Sequence, residues 1–249
     1  MLLLSRVFLL KGVSMDYAQV IQASFVRRIN RFVAEADIDG HPVAVHVKNT
    51  GRCKELLVPG VTVFLEVSSN EARRYKYSLI AVEKNGLLVN IDSQAPNIVV
   101  YEAIMEGKIK ELGNVHTLKR EVSFGNSRFD LYFEGDGRRG FVEIKGVTLE
   151  HHGIAMFPDA PTARGRKHVL ELMEALEAGY EGVILFLVQM KGCRYVTPHK
   201  EMDPLFAAAM QEAAAAGVQV MAYDARVTRT SIQIGKPLAV QFGTSVDKG

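Results

Sequence analysis

Near residue 100 the spacing of the apolar residues changes, and that change divides the chain into two architectures. Across residues 31–92 apolar side chains recur at every second position, the period of a half-buried strand. Residues 32–38 lead through Asp39-Gly40 into Val43, Val45 and Val47, which reads as a hairpin. Residues 61–67 form another alternating run. Residues 78–83 and 87–91 flank Lys84-Asn85-Gly86, a strong hairpin signal. Some five short strands in roughly 70 residues predict a small closed β-barrel of OB-like type.

From residue 101 the periods alternate. Residues 101–112 have helical spacing, and residues 115–124, 128–134 and 140–149 read as three consecutive strands. Gly125-Asn126-Ser127 and Gly135-Asp136-Gly137 separate them. Residues 162–178 predict an amphipathic helix with Val169, Leu172, Met173 and Leu176 on one face, ending before Gly179. Residues 182–189 are an uninterrupted apolar run, the pattern of a strand covered on both faces. An Ala-rich helix over 204–216 and a strand over 218–223 complete an α-β-β-β-α-β-α-β order. The chain is therefore expected to be α/β (α+β): a lead-in over 1–24, an OB-like barrel over 25–98 and an αβββαβ domain over 99–249. The apolar start lacks basic residues ahead of it and a small-residue cleavage site, and Met15 would serve equally well as an initiator.

Two cysteines, Cys53 and Cys193, lie far apart in no metal-binding or redox spacing, which predicts free thiols in a reducing, cytoplasmic setting. No apolar run is long enough to span a bilayer. Net charge is only +2, so a nucleic-acid partner has to be argued from local clusters rather than from the total.

The chemistry concentrates in the middle strands of the second half. Asp130 interrupts the apolar run Phe129–Phe133, and Glu143 and Lys145 share one face of the next strand because side chains alternate. If the strands pair around the Gly-rich turn, Asp130 sits beside Glu143. Adjacent carboxylates repel unless a cation lies between them, and their oxygens select a hard ion such as Mg²⁺ or Mn²⁺. A lysine two residues from the metal-binding glutamate can orient water or offset charge building on a phosphoryl group. This is the D…ExK arrangement of metal-dependent phosphodiester hydrolysis; Glu102 is a candidate additional ligand. The plain alternative is a solvated strand face.

Residues 157–168 (FPDAPTARGRKH) feed the amphipathic helix, whose first turns carry Arg164, Arg166, Lys167 and His168. Cations there oppose the helix dipole, so an anionic phosphate explains them better than stability does. Asp159 is a candidate helix cap. In the barrel, Arg73-Arg74-Tyr75-Lys76-Tyr77 interleaves cations with aromatics, the composition a single-strand-binding surface needs. Arg27, Arg28 and Arg31 form a second basic cluster. Asn49-Thr50-Gly51-Arg52 lacks strand alternation and is a loop that can face a cleft.

Several of these segments together resemble the sugar fermentation stimulation protein A family: His46 to Arg52, Arg128-Phe129-Asp130, Val142 to Leu149, and the FPDAPTARGRKH segment. The resemblance runs in order over about residues 25–237. It implies an N-terminal OB-like domain, a C-terminal PD-(D/E)xK nuclease-like domain and DNA binding, with Asp130, Glu143 and Lys145 as the catalytic triad and Glu102 as a fourth member. Phe129 stands where the nuclease fold often has proline, and Val47-Lys48 where relatives carry Cys-Pro. DNA is the expected partner, single-stranded DNA or RNA included, held by Asn49, Thr50, Arg52, Arg73, Arg74, Tyr75, Lys76, Arg164, Lys167 and His168. The competing expectation is a non-catalytic DNA-binding regulator of sugar-utilisation genes. An enzyme of a small phosphorylated metabolite is disfavoured, because no Gly-rich phosphate loop follows a strand. No motif bears on oligomeric state.

Overall fold

The computed structural model describes residues 14–49 and 51–243. A short β1 (Met15–Asp16) precedes β2 (Val20–Arg28), β3 (Val33–Ile38), β4 (His41–Val47), β5 (Thr62–Val67), β6 (Tyr77–Lys84) and β7 (Leu87–Asn90). Strands lie in the order β4-β3-β2-β5-β6-β7, and β4 pairs with β6 in parallel at His46↔Ser78, which closes β2–β6 into a five-stranded OB-like barrel. Asp39-Gly40 and Asn85-Gly86 both take positive φ at their hairpin tips, the geometry that favoured those residue pairs. The barrel's first strand, β2, starts at Val20 inside the expected lead-in. Its Ile21, Ala23 and Phe25 alternate with Gln22 and Ser24, the period of a half-buried strand, so the barrel begins five residues before the expected boundary at residue 25.

The second half opens with α1 (Ala95–Met105) and a 3₁₀ turn at Lys110–Leu112. It continues through β8 (Val115–Phe124), β9 (Ser127–Gly135), β10 (Arg138–Val147), β11 (Leu149–His151), β12 (Ile154–Phe157), α2 (Ala163–Glu177) and β13 (Glu181–Val188). It ends with β14 (Tyr195–Pro198), α3 (Pro204–Ala216), β15 (Gln219–Val227) and β16 (Ser231–Val240). The main sheet has the order β11-β12-β14-β16-β15-β13-β10-β9-β8, and β1 adds to β16. β13, the apolar run, is parallel to both β10 and β15 and is buried from Gly182 to Val188. α1 packs on one face with Val142, Ile144 and Leu185, while α2 and α3 cover the other with Phe141, Phe186 and Val147. The helix expected over 101–112 lies instead at Ala95–Met105, where Pro96 fits a first-turn position that needs no N–H. β11, β12, β14 and β16 lie outside the elements read from the sequence. The first three are too short to show a period.

Polar side chains at the junction tie the two halves together. Lys48 Nζ lies 2.6 Å from Asp92, whose side chain is fully buried. Asn90 donates to the Tyr17 hydroxyl (2.9 Å), and Gln189 donates to Asn90 Oδ1 (2.8 Å) and to the Asp92 carbonyl (3.1 Å). Removing one member of a buried pair strands the other charge away from water. Lys48→Ala is therefore expected to lower unfolding stability by about 3 kcal/mol in a urea titration; a loss within error of zero would show that the pair does not hold Asp92 in place.

Candidate functional site

β9 and β10 pair from Arg138↔Gly135 to Val142↔Leu131, and the next position in that register sets Glu143 opposite Asp130. There the main-chain ladder stops. Instead of a backbone carbonyl, the Asp130 carboxylate accepts the Ile144 N–H (2.8 Å, Oδ2), and its other oxygen accepts from Asn97 Nδ2 of α1 (2.8 Å). Glu143 and Lys145 share the α2 side of β10 with Phe141 and Val147.

Glu143 is 4% exposed in its side chain, and one oxygen, Oε1, takes two short bonds: 2.6 Å from Lys145 Nζ and 2.6 Å from His168 Nδ1. Its second oxygen, Oε2, is buried without a partner. Burial pushes this carboxyl up, but the bonds from His168 and the Lys145 charge outweigh it and hold Glu143 below its ordinary value. Asp130 moves the opposite way, raised first by burial and then by the charge of Glu143. Arg164 Nε points at His168 Nε2 at 3.4 Å, a long contact that leaves Nδ1 as the nitrogen donating to Glu143.

α2 delivers His168. Its N-cap is Thr162, whose hydroxyl accepts the Gly165 N–H (3.0 Å). Asp159, the candidate cap, instead accepts the Arg52 N–H across the junction (2.9 Å). Thr162→Ala should therefore cost about 1 kcal/mol in thermal unfolding, whereas an unchanged transition would mean the helix start is held by packing alone.

The sequence-predicted residues divide accordingly. Asp130, Glu143, Lys145 and His168 converge, and Arg164 joins through His168. His168 is a correction to the nucleic-acid-contact expectation, because it is buried against Glu143 rather than presented at the surface. Glu102 is not brought to the cluster. It lies five residues beyond Asn97 on α1, about 140° around the helix, and its charged neighbours are Arg120, Glu106, Asp16 and Lys108. Lys167 is exposed and donates to the Asn126 carbonyl (2.9 Å). Asn49 accepts the Gly51 N–H in its own loop (2.7 Å), Arg52 is exposed, and Thr50 lies outside the described residues. Arg73 reaches His46 (3.4 Å), while Arg74 and Lys76 lie over the rings of Tyr75 and Tyr77. None of these barrel contacts touches the carboxylates. Asn97 was missed by sequence reasoning; Pro96 at the helix start was the signal that could have placed it.

The cluster fits a hard cation. Glu143 Oε2 lacks a partner, and each Asp130 oxygen has accepted one bond of the two it can take. Among the described residues, no group of three His, Cys, Asp or Glu side chains is close enough to cage a metal. The fit is thus to an ion that keeps most of its ligands from water or substrate, as Mg²⁺ does.

An OB-like barrel joined to a restriction-endonuclease-like domain with this carboxylate–lysine cluster defines the class of the chain. Family models described as "SfsA N-terminal OB domain" and "Sugar fermentation stimulation protein RE domain" match residues 26–91 and 94–231. The chain belongs to the sugar fermentation stimulation protein family. It is 52% identical to the sugar fermentation stimulation protein homolog of Alkaliphilus oremlandii, over 92% of this chain and 99% of that one. The homolog of Desulfitobacterium hafniense is 48% identical, also over 92% and 99%. A solved structure, Pyrococcus furiosus SfsA in complex with Ca²⁺, superposes with a TM-score of 0.84 at 28% identity, covering 91% of this chain and 98% of that one.

Proposed function

We propose that this chain is a divalent-metal-dependent phosphodiesterase acting on nucleic acid, DNA in the first instance. The observation that carries the reading is the buried, unpartnered Oε2 of Glu143 beside Asp130, with a lysine on the other Glu143 oxygen. Asp130 and Glu143 would hold the cation, Mg²⁺ or Mn²⁺. When bound, such an ion acidifies water and offsets charge on a phosphoryl oxygen. That the Pyrococcus furiosus relative is described as a complex with Ca²⁺ supports a divalent ion in this family.

The protein's own groups divide the remaining tasks. Asn97 and the Ile144 N–H fix the Asp130 carboxylate, and His168 fixes Glu143. Lys145 carries an ammonium within the cluster, able to donate to the attacking water or to a phosphate oxygen as negative charge builds there. Arg164 and Lys167, exposed on the first turns of α2, supply backbone charge neutralisation. Arg52 and the Arg73–Lys76 turn extend it on the barrel. Buried Cys53 and Cys193 are unpaired thiols, in keeping with a cytoplasmic protein, and burial pushes Cys53 up to about 12.

Cleavage of labelled single- and double-stranded DNA and RNA tests the reading, with Mg²⁺ or Mn²⁺ supplied. Asp130→Asn and Lys145→Ala should each lower metal-dependent cleavage at least about 100-fold while preserving binding. Glu102→Gln, away from the cluster, should leave the rate near that of the unaltered protein. If unaltered protein and variants are equally inactive yet bind equally well, the chain is a nucleic-acid binder without turnover, the regulator alternative.

A further inference from the structure

Arg28, at the end of β2, spends all five of its guanidinium N–H donors on main-chain carbonyls: Asn30, Gly51, Arg52, Arg31 and Asn49. No carboxylate shares these bonds, so the positive charge stays in place while two loops are laced together. One is the β2–β3 turn; the other is the segment after β4. Between them lies a hollow of about 350 Å³ with Leu57 in its wall and Arg31, Arg52 and Lys54 around it. Among the described residues, none of these three cations forms a salt bridge. The Asp159 carboxylate accepts the Arg52 main-chain N–H.

Beside this hollow Phe32 is 51% exposed, and the Arg31 guanidinium sits 5.7 Å over its ring. Ile29 and Val58, also half exposed, come from the two turns at the same end of the barrel. Burial drives folding, so a phenylalanine left open contributes little to the core. Gly51 lines both the hollow and a second cleft of about 190 Å³, whose walls include Pro96 and Gly146, the neighbours of Asn97 and Lys145. Gly51 also packs so closely on Asp159 that an added Cβ would fall 2.4 Å from its carboxylate.

Resting on the nucleic-acid reading above, we infer that this end of the barrel is the entry track for a single-stranded nucleic acid, with one unpaired base stacked on Phe32. Its phosphates lie along Arg31, Arg52 and Lys54, and the track ends at Gly51, which also lines the junction cleft. A duplex cannot use the platform in this way. Its bases are already stacked and offer only groove edges and phosphates, whereas an exposed ring beside a cation matches the face of an unpaired base.

Fluorescence anisotropy with labelled oligo-dT and a duplex of equal length, in EDTA to prevent cleavage, tests the track. Phe32→Ala should weaken oligo-dT binding about tenfold and leave duplex binding unchanged, while Phe32→Trp retains it. Arg52→Ala should weaken oligo-dT binding and flatten its salt dependence. Equal oligo-dT affinity for all these variants overturns the track, and the nuclease reading then stands or falls on its own variants. If the unaltered protein binds neither probe, both readings fall.

Discussion

A carboxylate taken almost wholly out of water must be compensated, and around Glu143 much of the second half is arranged to do it. Lys145 comes from the same strand, two residues on. His168 comes from α2, whose start is fixed by the Thr162 cap. Compensation reaches only one oxygen, however, and the second is left buried and bare. A structure optimised for stability alone would satisfy both oxygens or replace the group with an apolar one. The same economy governs Asp130, whose carboxylate stands in for the backbone carbonyl that would have continued the β9–β10 ladder. Ending the ladder there leaves Asp130 and Glu143 at the next opposed position of neighbouring strands.

The junction with the barrel forms a cleft whose walls include Pro96 and Gly146, sequence neighbours of Asn97 and Lys145. Arg28 holds the segment after β4 in one shape, and Asp159 receives the Arg52 N–H from across the boundary. Gln189 of the second half donates to Asn90 Oδ1 and to the Asp92 carbonyl, and Lys48 pairs with that buried Asp92. Even the short β1 pairs with β16, so chain from before the barrel is built into the domain after it. The barrel is therefore fixed against the carboxylates by polar contacts that are largely buried.

The parts of this that were legible in the sequence obey a strong local rule. Asp39-Gly40 and Asn85-Gly86 announced their hairpins, the run from Gly182 to Val188 announced a strand covered on both faces, and period two put Glu143 and Lys145 on one side of β10. What was not legible depends on partners distant in sequence. β16 is hidden by Gly235 and Pro237, because its pairing with β14, β15 and β1 rather than its own pattern makes it a strand. The helical reading of residues 101–112 began too late, so Asn97 was lost and Glu102 was favoured in its place. His168 looked like one more surface cation because a helix-start cluster gives no sign of which member turns inward. The platform at Phe32 was invisible for the opposite reason: the strand read over residues 32–38 included it, whereas β3 begins one residue later.

The central claim is that Glu143 and Asp130 form one cation site with a vacant oxygen between its fixed partners. Calorimetric titration of the protein with Mn²⁺ tests it directly, comparing unaltered protein with Asp130→Asn and Glu143→Gln. The account predicts saturable binding in the unaltered protein that either substitution abolishes. Binding that survives both substitutions, or its absence from the unaltered protein, would contradict it.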